Sequence, residues 1–212
     1  MQEGIMTTRM SCLAVCWSLG VVAACATGGG VGGPREVEVR VENGVPANVE
    51  EFVALRDRLA VTPEGGAVIM VLALMKYAED QQVGLQFLTV AVDQEAVDAS
   101  ADVYKGKTIH NAKARFIRDQ LSQKPYVPHS YVQGTSPGSG YQHGPAPLVF
   151  RLKEQPNDVQ GTKARMFVHS TGADSARPVA LLRNDKGIWK AREWSSLLLG
   201  VRAPEARKAD DL

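Results

Sequence analysis

Thiols are scarce in this chain and confined to one end. Of 212 residues only three are cysteine, and Cys12, Cys16 and Cys25 all fall within the first 25 positions. If that stretch is an export signal, the folded domain has no disulfide, no cysteine nucleophile and no cysteine-ligated metal. An excess of charge is missing too. Lys and Arg number 24 against 23 Asp and Glu, a formal net charge of +1. That balance removes any global electrostatic pull toward nucleic acid, which is not expected as a partner. No apolar run reaches the roughly 20 residues that a membrane-spanning helix needs. There is no phosphate-binding Gly-Lys-Ser/Thr loop, no zinc-protease helix motif and no kinase signature, so no cofactor is expected. What is present is ordinary globular material. The chain is 44% apolar and 22% charged, enough for a core of useful size.

The amino terminus reads as an export address. Arg9 supplies a positive start, Leu13 to Ala24 form a short apolar stretch, and Val22-Ala23-Ala24-Cys25 looks like a lipobox. The resemblance implies cleavage after Ala24 and lipid on the Cys25 sulfur, with membrane attachment through that lipid. Two or three acyl chains anchor stably where one does not. The alternative is a buried apolar helix of a cytosolic protein, and Met6 is an alternative start. Gly28 to Gly33 matches the dinucleotide fingerprint G-x-G-x-x-G, but a cleavage site precedes it and Pro34 follows, where a strand and a helix are required. It reads as a flexible tether. The expected organisation is a signal peptide over 1–24, a lipidated cysteine and tether over 25–35, one domain over 36–204 and a charged tail over 205–212.

Within the domain, Val37, Val39 and Val41 alternate with charged residues as in a strand. Asn48 with Glu51 predicts a capped helix burying Val49, Phe52, Leu55 and Leu59. Thr62-Pro63 predicts a second helix, apolar on all sides from Ala67 to Met75 and so buried on most of them. Leu85 to Val92 is an apolar element of open type. A further helix over about 108–122 would turn Ile109, Ala112, Phe116 and Ile117 inward and Lys113, Arg115 and Arg118 outward. The period then changes to two. Segments at 148–153, 164–169, 178–183 and 188–194 read as strands, the last two joined by Asn184-Asp185-Lys186-Gly187, with Trp189 and Trp194 anchoring the packing. Helices first and strands second give an α+β fold, with N-terminal helices on one face of an antiparallel meander of about four strands, joined by the 36–42 strand.

The unusual segment is PYVPHSYVQGTSPGSGYQHGPAP at 125–147. A loop of this length in a small domain is often functional. Its Tyr126, His129, Tyr131, Tyr141 and His143 are the candidate ligand-binding residues, with chemistry suited to a polar, ring-bearing ligand such as a sugar. The competing expectation is a compact loop whose tyrosines only hold it down. Gly134-Thr135-Ser136-Pro137-Gly138 matches the nucleophile-elbow pattern, but Pro137 and the glycines after it deny the helix that pattern needs. Two histidines without further ligands do not make a metal site, and His110 and His169 read as solvent-facing.

Three stretches, VPHSY to PGSGY at 127–141, VHSTGADSARPVALL at 168–182 and KAREWSSLLLGVR at 190–202, resemble an uncharacterised domain family of bacterial exported proteins and lipoproteins of host-dwelling anaerobes and spirochaetes. The likeness covers roughly residues 49–204 and implies exported context while transferring no catalytic residue. The expected function is therefore a lipid-anchored envelope lipoprotein on the exported side of the membrane. It would be a non-catalytic module that binds an envelope protein or a cell-wall ligand. The alternative is a cell-wall or glycan hydrolase using His129 or His143 as general base, and a purely structural envelope lipoprotein is a third reading.

Overall fold

The computed structural model describes residues 33–206. The expected signal peptide, Cys25, most of the tether and the end of the tail lie outside those residues. Strand β1 (Arg35–Val41) opens the domain and leads into four helices: α1 (Val49–Leu59), α2 (Pro63–Glu79), α3 (Gln81–Ala91) and, after a small hairpin of β2 (Val97–Tyr104) and β3 (Lys107–Ile109), α4 (Asn111–Leu121). The 125–147 segment follows, and then β4 (Leu148–Glu154), β5 (Val159–Gln160), β6 (Lys163–Val168), β7 (Arg177–Arg183) and β8 (Trp189–Glu193). The large sheet is antiparallel in the order β1-β4-β6-β7-β8, with β5 paired to β6, so the first strand returns to lie beside the fourth.

The predicted α+β architecture is the one observed, for the reasons the sequence gives. Leu148, Phe150 and Leu152 on β4, Ala164, Met166 and Val168 on β6, and Val179 and Leu181 on β7 are buried at alternate positions. They present one apolar face to α2, which packs on β1, β6, β7 and β8. From Glu64 to Met75 every residue of α2 is buried, because sheet, α1 and α3 surround it. Among the described residues no helix is long and apolar enough to cross a membrane.

Helix ends are fixed by side chains. The Asn48 side chain accepts from the Glu51 N–H at 2.9 Å, and Thr62 Oγ1 accepts from the Gly65 N–H at 3.2 Å. Asp80 serves two helices: its N–H closes α2 on the Lys76 carbonyl while its carboxylate accepts from the Gln82 and Val83 N–H groups that open α3. Such caps contribute about 1 kcal/mol each. A Cβ at Gly84 would stand 2.2 Å from Tyr77 Cα, so the close crossing of α3 over α2 requires glycine there. Phe52 and Phe87 stack at 4.0 Å between α1 and α3.

The apolar element at 85–92, whose type the sequence left open, is the end of helix α3, which starts at Gln81 and has Val92 as its C-cap. The structure departs from expectation in three places. The predicted 108–122 helix is shorter: residues 107–109 form β3, Ile109 is buried from that strand, and Ala112 is exposed. Lys113 is half-buried, with its ammonium 5.4 Å from the centre of the Trp194 ring. Arg35 already belongs to β1, opposite Glu154.

Candidate functional site

The 125–147 segment is folded down along its length. Residues Val127–Tyr131 form a 3-10 turn with Pro128 as its second residue, where a missing N–H costs nothing. Tyr131, 1% exposed, donates its hydroxyl to the Leu197 carbonyl at 2.8 Å, and burial raises its pKa far above the usual phenol value. Tyr141 sits in left-handed backbone at φ 59°, also 1% exposed, and donates to the Arg202 carbonyl at 2.7 Å. The backbone of Gly172 lies against that ring so closely that a Cβ there would come 2.1 Å from the phenol oxygen. Hydroxyls complete the fastening. Ser130 Oγ donates to the Val127 carbonyl at 2.7 Å and lies 2.8 Å from Ser170 Oγ, while Thr135 Oγ1 lies 2.9 Å from Thr171 Oγ1. The Thr171 N–H donates to the Ser130 carbonyl, and the Arg202 N–H to the Gly172 carbonyl. The stretches at 127–141, 168–182 and 190–202, far apart in sequence, therefore meet in one knot of hydrogen bonds.

Two ring pairs lie in this segment. Tyr126 stacks on Tyr141 with centroids 5.5 Å apart and planes 9° from parallel, and His129 stacks on His143 at 5.1 Å. The imidazoles are also bonded, Nδ1 of His129 to Nε2 of His143 at 2.9 Å, and His143 Nδ1 lies 2.8 Å from the Gly144 carbonyl. A carbonyl only accepts, so His143 carries its proton on Nδ1. In the neutral tautomer its Nε2 is the acceptor, and His129 then donates from Nδ1, which leaves the lone pair on His129 Nε2. Burial, and then the neighbouring His143, lower the His129 pKa to about 4, so His129 is neutral near pH 7. In this pair the orienting partner of His129 is an imidazole, where a general base of the Ser-His-Asp kind has a carboxylate. Of the five predicted residues, Tyr126, His129 and His143 keep part of their surface; Tyr131 and Tyr141 are interior. Ser136 Oγ accepts from the Ser139 N–H inside a turn, with no helix following. His110 and His169 are half-exposed and face Asp98 at 3.3 Å and Glu36 at 3.1 Å. Among the described residues no group of three or more His, Cys, Asp or Glu is placed to hold a metal ion.

Concave surface lies elsewhere. A cavity of about 680 Å³ over the outer face of β6 and β7 brings both signs of charge together, Glu95 and Asp158 with Lys163, Arg165 and Arg192. A second, of about 420 Å³, is walled by α1, the end of α3, the β2–β3 hairpin and the β7–β8 turn, and its charged lining residues are all basic: Arg56, Lys105, Lys107, Lys186 and Lys190. Composition gave no hint of this grouping. The available signal was Lys105-Gly106, both at positive φ between paired Tyr104 and Lys107, which is the two-residue turn of a tight hairpin.

Residues 44–205 match a family described as a domain of unknown function (DUF6935). No curated protein and no solved structure matches the chain.

Proposed function

We propose, for a chain that belongs to the DUF6935 family, that it is an exported lipoprotein held to a bacterial membrane by lipid on Cys25, and that its domain is a non-catalytic binding module. The observation that carries the binding role is the fastened 125–147 segment, with its two stacked ring pairs. A loop tied at Tyr131, Tyr141, Ser130 and Thr135 has lost its conformational entropy in folding and need not lose it again on binding. The partly open rings of Tyr126 and His143 offer a flat, polar-edged face suited to a sugar ring of cell-wall glycan. The hydrolase alternative gains no support from an imidazole pair that is bonded to no carboxylate.

The experiment has two arms. Alkyne fatty-acid labelling of wild type and Cys25→Ala, with intact mass, is expected to place lipid on Cys25 and cleavage after Ala24; an unlabelled, uncleaved chain overturns the address. Binding of solubilised cell-wall glycan fragments to the Cys25→Ala chain is then compared with the same chain carrying Tyr126→Ala and His143→Ala. Loss of two ring contacts at about 0.5–1.5 kcal/mol each predicts roughly tenfold weaker binding. Tyr131 and Tyr141 are left intact because their loss would unfold the loop. Unchanged affinity removes the loop from the function, and turnover of the fragments would restore the hydrolase reading.

A further inference from the structure

The all-basic cavity sits apart from the 125–147 segment and has features that a solvated lysine face lacks. Unlike the cavity over β6 and β7, which mixes both signs of charge, this one has cations alone as its charged lining. Elsewhere among the described residues some cations face carboxylates, as Arg35, Arg40, Lys76, Arg192 and Arg202 do, and others, such as Arg58, Arg115, Arg151 and Lys163, do not. Around this cavity, of five cations only Arg56 has an ion-pair partner among the described residues, the adjacent Asp57. The grouping is not a by-product of a basic protein, because the whole chain carries a net charge of +1.

Its walls are built to keep the charges together. Val53, Val90, Val92, Val97 and the Tyr104 ring supply an apolar lining, and a low-dielectric concavity lined by one sign of charge focuses its field on the space inside. Lys105 stands 5.3 Å from the centre of the Tyr104 ring on the tight turn of the first hairpin. Lys186 lies in the second turn, where Asn184 Oδ1 accepts from the Lys186 and Ile188 N–H groups at 3.0 and 2.9 Å. Lys190 is turned inward from β8 and donates its ammonium to the Val90 carbonyl at the end of α3. Like charges confined in this way repel one another, and a multiply charged anion relieves the repulsion.

The donors narrow the choice of anion. The usual fork for a carboxylate is guanidinium, but Arg56 Nε and Nη2 already donate to Asp57 Oδ1 at 2.9 and 2.6 Å. What remains is ammonium, a compact charge with three rotating donors, suited to the dense charge and tetrahedral oxygens of phosphate. A volume of about 420 Å³ also exceeds what a bare anion fills and lies in the range of small-molecule sites.

We propose that this cavity binds a phosphate-bearing ligand, its phosphate oxygens held by Lys105, Lys107, Lys186 and Lys190 and its body lying on the valines and Tyr104. Such a phosphate could be supplied by a soluble phosphate ester or by the headgroup of an anionic lipid, and the test separates the two.

The Cys25→Ala chain, complete but unlipidated, is titrated with inorganic pyrophosphate by calorimetry and floated with phosphatidylcholine vesicles containing phosphatidic acid. Each is repeated with Lys107→Gln plus Lys186→Gln, two exposed substitutions that leave the core untouched, and with Lys124→Gln plus Lys153→Gln, which change net charge equally outside the cavity. Saturable binding weakened at least about tenfold by the first pair, and less than about twofold by the second, is the expected result. Pyrophosphate bound without vesicles identifies a soluble ligand, and vesicles lost with the first pair identify a headgroup. Absence of saturable binding to both probes, or equal weakening by both pairs, overturns the assignment. Neither outcome depends on Tyr126 and His143, so the glycan reading stands or falls separately.

Discussion

Replacing Lys190 by methionine should stabilise the domain near pH 6 and do so less and less as pH rises. Burial, and secondarily Arg56, lower the Lys190 pKa from 10.5 to about 7, with Asp93 and Asp57 offsetting only part of the effect. A difference of that size corresponds to about 5 kcal/mol of differential stabilisation at 1.36 kcal/mol per unit. Methionine keeps the stem packed and removes the buried charge, but it leaves the Val90 carbonyl without its donor, at a cost of about 1–3 kcal/mol. The net gain at pH 6 is then about 2–4 kcal/mol. Between about pH 7 and 10.5 the unfolded chain holds a proton on Lys190 that the folded chain has released. Stability of the wild type therefore rises with pH there, by up to about 1.4 kcal/mol per unit relative to the variant. Urea unfolding at pH 6, 7, 8 and 9, followed by the fluorescence of buried Trp189 and Trp194 in the Cys25→Ala background, reads this difference directly. Parallel stability curves for the two proteins would refute the reasoning, because the ammonium would then not be desolvated in the fold. A confirmed crossing would identify a charge that folding alone selects against, as expected where it is kept for a ligand.

Two further predictions concern the fastened loop. His129 has its folded pKa lowered from 6.5 to about 4, so the unfolded chain binds the extra proton first and stability falls as pH drops through that window, by up to about 3 kcal/mol; His129→Gln should flatten this acid limb in thermal unfolding between pH 7 and 4, and an unchanged limb would show that the imidazole is not buried. Gly172→Ala places a methyl against the Tyr141 phenol and should cost about 2 kcal/mol or more in urea unfolding; adding Tyr141→Phe, which trims the oxygen being struck, should then cost less than it does alone, and strict additivity would exclude the contact.

The fold was legible where one face of an element is wet. Alternation in β1, β4 and β6 marked their buried faces directly, and Asn48 and Thr62 announced α1 and α2 through the side-chain caps they form. Legibility failed where both faces are covered. Leu85 to Val92 is apolar at helical and strand spacing alike, since α3 lies between α2 and the small hairpin, and the deciding residue is Asp80, a cap that serves as the end of one helix and the start of the next. β2 has few branched or aromatic residues, so the hairpin shows itself only in Lys105-Gly106; missing it assigned Ile109 to a helix.

The candidate site divides on the same physical line. Proline, glycine and tyrosine mark 125–147 as an unusual segment, yet nothing local says whether a tyrosine ring faces solvent. That is decided by the Leu197 and Arg202 carbonyls, 66 and 61 residues downstream of the hydroxyls they accept from. The basic cavity is harder still, because each of its lysines, taken alone, is what a turn or a strand end usually carries. A lysine in a hairpin turn costs folding almost nothing, whichever charge its neighbours bear. Selection for a ligand can therefore collect cations at two turns without disturbing the core. What distinguishes such a collection from a solvated surface is that five cations and no carboxylate line one concavity, a property of the assembled fold.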